Sequence, residues 1–346
     1  MLQKTLIVTN SSLPHVEESE SFKKAIIGLG LKAEIYIVDD GQHVTRQFGL
    51  QKIRNLINFR RIISLISIIR SGSISSILLT APIPIFLLLL PILKYYKIKI
   101  IYTFHEPYMP ERTGIYYRLT NIYHFFLIPK VNDLIFYSKN ALALYRKSEK
   151  FVVGSCHVVP LYKYREVLEE VPDLQKRKYI SFIGNLGSNK DLNIFFNIAE
   201  KLPHKSFLLA GSGDLSSHED QIKKLDNILV VNRYLTESEY FSYIDKSLYV
   251  VLPYSSASQS GVLLDVMCRG GIAVCTNIAA FSEIVTHMKT GLILDYETFC
   301  ISFLKQLSNI SISEQSKISN DALKLYNQNF SEEAFANVIK NLNVSW

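Results

Sequence analysis

The chain has 346 residues, of which 48% are hydrophobic, and a formal net charge of +7. That length exceeds one ordinary core and suits two domains, and the apolar content excludes an intrinsically disordered chain. Residues 1–150 hold 20 Lys/Arg against 10 Asp/Glu, while residues 151–346 hold 18 against 21; the basic first half calls for an anionic partner, yet no zinc-finger, RNA-recognition or helix-turn-helix signal accompanies it, which argues against nucleic acid.

Residues 1–10 read as a first strand (5–9) rather than as a charged leader before a long apolar core. A helix is expected over 20–29 and a strand over 33–38. Residues 53–70 (IRNLINFRRIISLISIIR) predict a helix with four arginines and a broad apolar face. It suits lying on an anionic leaflet, and equally suits packing on a core with its basic side outward. A strand follows at 76–79, a helix at 84–96, strands at 99–104 and 134–137, and a short helix at 141–147. Residues 77–93 run 17 positions without a charge. Pro82, Pro84 and Pro91 divide that run into a buried strand, a loop and a buried helix rather than a membrane span. Residues 162–178 (YKYREVLEEVPDLQKRK) are polar without an apolar period and predict an interdomain linker.

The strand–helix alternation then restarts. Strands are expected at 179–183, 206–210 and 228–231, with helices at 192–201, 219–225 and 237–245. An apolar strand, 248–252, stops at Pro253. A loop of small polar residues, 255–260, precedes a helix opening at Gly261 and ending at Gly270 and Gly271. Another strand, 272–275, leads on to Glu283 and Gly291. A final helix is expected over 331–342, with Ser331 and nearby acids as a capping box. Strands alternating with helices in this way predict βαβ units and parallel sheets, which bind ligands at the carboxyl ends of their strands. The four cysteines (Cys156, Cys268, Cys275, Cys300) have no metal-ligand spacing and read as buried thiols in a reducing compartment.

Several of these strand ends carry chemistry. In SFIGNLGSNKDLNIFF, Gly184, Asn185 and Gly187 stand just past a strand and Lys190 just before a helix. Glycines let the backbone approach an anion, and the lysine can add charge to a diphosphate. The spacing is neither GxGxxG nor a P-loop, so an ordinary turn with a solvated lysine is the plain alternative. LLAGSGD places Gly211 and Gly213 at the next strand end, where backbone groups could hold a base or ribose. In YTFHEPYMP, His105 and Glu106 end a strand of the first half; His105 is a candidate for touching a sugar, and Glu106 a candidate acid or base. In SGVLLDVMCRG, Ser260, Gly261 and Val262 open a helix whose first N–H groups suit a phosphate. Asp265, set among apolar neighbours, points at something polar, such as a ribose hydroxyl. Glu283 is either a further ligand or a helix cap.

Together these residues resemble the GT-B nucleotide-sugar glycosyltransferases, specifically glycosyltransferase family 4, most clearly over 179–294. The order GN-x4-K, AGSGD, RYLTESEYFSYIDKS, VVLPY, SGVLLDVMCRG and FSEIV-x5-TG carries the likeness. It implies an α/β fold of two Rossmann-like domains whose parallel sheets face across a cleft. Residues 1–162, joined by the C-terminal helix 331–346, would bind acceptor, and residues 176–330 would bind the donor. By the same resemblance Lys190 would hold the diphosphate and Asp265 the ribose, while the amides of Gly261 and Val262 would meet the distal phosphate. Arg233 and Tyr234 would line the base pocket, and His105 would meet the sugar ring.

The activity implied is retaining transfer from a UDP- or GDP-sugar, with no cofactor or metal required, to a glycan acceptor. A lipid-linked glycan in cell-surface polysaccharide assembly suits the basic first half, and implies a cytoplasmic protein peripheral on an anionic membrane surface. Two departures bear on this. Ala257 stands where the family has an acid separated by seven residues from the acid at Asp265, and Asn185 stands where many members have arginine. They motivate the alternative of a degenerate GT-B protein that binds sugar nucleotide or scaffolds a complex without catalysis.

Overall fold

The structure is a computed structural model that describes residues 4–10, 13–38, 59–105, 115–147, 154–162, 167–168, 170–187, 189–344 and 346. The chain divides into two compact units, Met1–Tyr164 with Glu332–Trp346, and Arg165–Ser331.

The described elements of the first unit are β1 (Lys4–Thr9), α1 (Leu13–Gly28), β2 (Lys32–Ile37), α2 (Phe59–Arg70), β3 (Ser76–Leu79), a 3-10 turn (Pro84–Leu89), α3 (Leu90–Tyr95), β4 (Lys99–Thr103), α4 (Ile115–Leu127), β5 (Asp133–Phe136), α5 (Lys139–Lys147) and β6 (Ser155–Val158). The strands form one parallel sheet in the order β2-β1-β3-β4-β5-β6. β3, SILL, is buried at every position, as a strand covered on both faces must be. The chain order reverses at β1, which pairs with β2 on one side and β3 on the other, so the crevice between β1 and β3 is this sheet's topological switch point.

The second unit contains β7 (Tyr179–Ile183), α6 (Leu192–Lys201), β8 (Ser206–Gly211), α7 (Glu219–Lys223), β9 (Ile228–Asn232), α8 (Glu237–Asp245), β10 (Ser247–Leu252), α9 (Gly261–Cys268), β11 (Ile272–Thr276), α10 (Ala279–Ser282), β12 (Leu292–Leu294), α11 (Phe299–Asn309) and α12 (Ile312–Asn329). Its six strands are parallel in the order β12-β11-β10-β7-β8-β9, with the switch point between β7 and β10. Phe182, Phe195, Phe196, Phe207 and Phe303 fill its core. The last helix, α13 (Glu332–Asn341), packs on α1 of the first unit, with the Phe335 and Phe22 rings 5.2 Å apart.

Four of the expected elements differ in the structure. α1 begins at Leu13, seven residues before the expected start. The expected helix over 84–96 is a 3-10 turn followed by α3, because Pro84 and Pro91 each remove an N–H and must sit at a helix start. The expected helix over 53–70 is described only from Phe59, and residues 53–58 lie outside the described residues. The expected linker is anchored at both ends. The Tyr162 ring stacks on Phe335 at 5.2 Å, Leu174 is buried, and the buried Arg177 donates to the carbonyls of Ile244, Ser247 and Arg269. A charged residue that ties internal carbonyls together in this way reads as solvated in sequence.

Candidate active site

In the second unit two glycine turns lie against each other at the carboxyl ends of β7 and β8. Gly184 has φ +115°, a conformation that side chains with a Cβ rarely take. A methyl added to Gly211 would come within 1.8 Å of the Gly184 carbonyl oxygen, and one on Gly213 within 2.4 Å of Leu186 Cβ. The amide of Leu186 donates to the Ser212 carbonyl, and Gly213 is tied to Asn232 by two hydrogen bonds of 3.2 and 3.1 Å. Only glycine allows this approach, at the end of the sheet where parallel α/β folds bind ligands.

Lys190 closes the same turn. Its amide donates to the Gly187 carbonyl and its backbone bridges to Tyr254, just past β10, so the residue spans the switch point. Asp191 follows and caps α6 by accepting from Asn193 N at 3.0 Å. The ammonium Nζ donates to the Asn185 carbonyl at 2.5 Å and lies 5.0 Å from the Tyr254 ring and 5.8 Å from the Phe182 ring. Burial pushes its pKa down to about 8. A methyl on Gly184 would lie 3.3 Å from Val262 Cγ2 and 4.0 Å from Lys190 Nζ. Thus Gly184, Asn185, Lys190 and Val262 converge.

The small-residue loop before α9 ends at Ser260, the N-cap, whose Oγ accepts from Leu263 N at 3.3 Å. That bond uses the third amide of the helix. The Gly261 and Val262 amides are among those that a helix start leaves without a helical partner. One turn on, the buried Asp265 accepts from the Tyr240 hydroxyl of α8 at 2.8 Å.

The remaining sequence candidates fall as follows. Arg233, past β9, forms a two-pronged pair with Glu239 at 3.0 and 2.5 Å. That pair, with the N-terminal amide of α8, holds the Glu239 carboxyl down to about 2. Tyr234 is 75% exposed beside it. Glu283 is exposed at the C-cap of α10. His105 belongs to the first unit, at the carboxyl end of β4, with Nε2 2.9 Å from Glu18 Oε2. Glu106 lies outside the described residues. Cys268 and Cys275 are buried and Cys156 and Cys300 half-buried, all as free thiols.

Sequence reasoning missed three partners. Tyr254 and Phe182 flank the lysine, and Tyr240 meets Asp265. Glu18, a fourth, gave no signal, because it stands before the helix expected over 20–29.

Residues 177–310 match the family model described as glycosyl transferases group 1. No curated protein matches the chain by sequence. Solved structures share its fold along nearly the whole length. Sucrose-phosphate synthase from Thermosynechococcus elongatus superposes with a TM-score of 0.73 at 12% identity, covering 97% of both chains. HepE from Anabaena, solved with UDP-glucose, gives 0.68 at 11%, covering 97% of this chain and 98% of that one. A glycosyltransferase from Rickettsia africae gives 0.65 at 16%, covering 98% and 99%. The fold is therefore the α/β fold of the GT-B glycosyltransferases, and the group 1 domain marks the chain as a glycosyltransferase.

Proposed function

We propose that the chain transfers a sugar from a nucleoside-diphosphate sugar, a UDP- or GDP-sugar, to a glycan acceptor, with retention of anomeric configuration, as family 4 enzymes do. The observation that carries this reading is the convergence of Lys190, Gly184 and the start of α9 at the switch point of the second sheet. A diphosphate placed there meets an ammonium and the first amides of a helix, and glycine leaves room for it. Asp265, already oriented by Tyr240, is placed to accept from a ribose hydroxyl. The UDP-glucose found in HepE supports a nucleotide-sugar donor.

When the bond from sugar to diphosphate breaks, charge builds on the leaving phosphate. Groups aimed at that phosphate before reaction lower the barrier because they need no reorganisation. Lys190, held by the Asn185 carbonyl and two aromatic rings, is such a group. The acceptor hydroxyl would attack on the face the phosphate leaves and pass its proton to that phosphate. Lys190→Ala lowers turnover by about 10²-fold or more; near-normal transfer of labelled sugar by this variant overturns the role.

The acceptor we propose is a glycan on a lipid carrier, with the protein peripheral on the cytoplasmic face of an anionic membrane. α4 supports this. Leu119, Ile122, Phe125 and Phe126 lie on neighbouring turns of that helix and are between 54% and 60% exposed. Leu88, on the 3-10 turn that packs against α4, is 70% exposed. No helix among the described residues is long and apolar enough to cross a membrane.

A further inference from the structure

The first unit has a polar cluster at its own switch point. Glu18, on the helix after β1, is buried. Its Oε1 accepts from the hydroxyl of Tyr137, just past β5, and its Oε2 lies 2.9 Å from His105 Nε2, past β4, and 3.6 Å from His15 Nδ1. Ser19, beside it, shares a 2.8 Å hydrogen bond with Thr80, past β3. Residues following four parallel strands thus meet around one carboxylate.

His105 Nε2 faces Glu18 Oε2 at 2.9 Å, the Thr80 carbonyl at 3.2 Å and Thr103 Oγ1 at 3.3 Å. A carboxylate and a carbonyl only accept. Nε2 must therefore carry a hydrogen, and in the neutral ring the lone pair then belongs to Nδ1. Glu18 remains a carboxylate here: burial pushes its pKa up, but the charge and hydrogen bond of His105, followed by those of His15, outweigh it and bring the group down to about 2. The titratable groups facing His105 among the described residues are Glu18 and His15 from α1, the His15 ring edge-on at 5.1 Å, and Tyr137 from the β5 end, its ring at 5.0 Å.

We propose that Glu18 is the positioning residue for His105: anchored by Tyr137, it fixes the imidazole as the Nε2–H tautomer and makes Nδ1 the nitrogen that gains and loses the proton. A carboxylate behind an imidazole sets ring orientation and raises basicity, whether the ring then serves a metal or a substrate. This inference rests on the reading that His105 meets the transferred sugar. It adds a charge state to that contact: a ring held towards the cation by a buried anion, suited to an electron-rich oxygen.

Histidine ¹⁵N long-range NMR reads the tautomer directly, with His105→Asn identifying the resonance. The wild type is expected to show protonated Nε2 and titrating Nδ1. In Glu18→Gln the shape is kept and the charge lost, so the His105 titration midpoint moves to lower pH by about one unit. Turnover then falls about tenfold or more, with donor KM within about twofold, and the acid limb of the kcat–pH profile follows the midpoint. Should Glu18→Gln fail to fold, Tyr137→Phe, which keeps the carboxylate but removes the hydrogen bond that draws charge from it, is expected to shift the midpoint the other way, to higher pH, and by less.

An unchanged tautomer and midpoint in both variants overturns the proposal. Zinc retained at one equivalent through desalting overturns it too, since the donor atoms of His15, Glu18 and His105 lie within 4.8 Å of one another and would then be metal ligands. Full transfer by His105→Asn overturns the role and the reading of His105 together. Lost transfer in that variant with an unaltered tautomer in Glu18→Gln overturns the role of Glu18 alone.

Discussion

At the carboxyl ends of the second sheet the groups offered to a ligand are mostly backbone: two glycine turns in contact, a helix start, and one lysine. At the carboxyl ends of the first sheet they are side chains, a buried carboxylate and phenol with two half-buried imidazoles. The contrast has a physical basis. On the proposed function, a diphosphate presents the same charge and size whatever sugar it carries, so a fixed set of amides and one cation would serve. A site assembled from dispersed side chains can be changed one residue at a time without disturbing the backbone beneath it. The first unit also exposes an apolar helix face, on α4, that has no counterpart described in the second.

The largest expected effect that would break this comparison is at Gly211. A methyl 1.8 Å from the Gly184 carbonyl forces the β7 and β8 turns apart. Gly211→Ala is expected to destabilise the second unit by about 3 kcal/mol or more, read by urea unfolding. A loss within about 0.5 kcal/mol would mean that the turns are not packed as described.

Next is acid sensitivity of the first unit. Burial lowers the His124 pKa to about 4 from the ordinary 6.5. The unfolded state therefore binds more protons between those values, and stability falls as pH drops from 6.5 to 4, by up to about 3 kcal/mol. Glu18, lowered to about 2 from 4.5, contributes in the same sense: its stabilisation is present above pH 4.5 and lost between 4.5 and 2. Hydrogen exchange across this range should show protection lost around Tyr102, whose hydroxyl meets His124 Nε2 at 2.8 Å, before it is lost in β7 and β8. Equal loss in both units contradicts this.

The smallest effect sharpens the contrast between surfaces. Replacing Phe126 or Leu119 by serine is expected to weaken binding to anionic vesicles at low salt by roughly tenfold each, with folding intact. Unchanged flotation removes α4 from the account.

The second unit was the more legible in sequence because its constraints are local. A glycine needed at a strand end, a lysine before a capped helix and a small-residue loop before Gly261 all sit at fixed spacing, and strand 179–183 and helices 192–201 and 237–245 lie where expected. Ser311 and Glu314 formed a readable capping box for α12 that was passed over. In the first unit α4 escaped because IYYRLTNIYHFFL is apolar on more than one face, leaving no single period to read. β6, SCHV, lacks the apolar run that marks β3 and β5, which are no longer. Glu18 was illegible because its partners are long-range: His105 is 87 positions away in the chain and Tyr137 is 119, and only the parallel sheet brings them together.

The most direct test of the central claim is proton uptake on donor binding. Lys190 is held near 8 by burial, and a diphosphate beside it favours the charged ammonium. Calorimetry at pH 8 in buffers of different ionisation enthalpy, with whichever UDP- or GDP-sugar binds, should show a fraction of a proton taken up per donor bound, and Lys190→Met should lose both that uptake and most of the affinity. Equal affinity and equal proton uptake in the two proteins would contradict a diphosphate seated on Lys190.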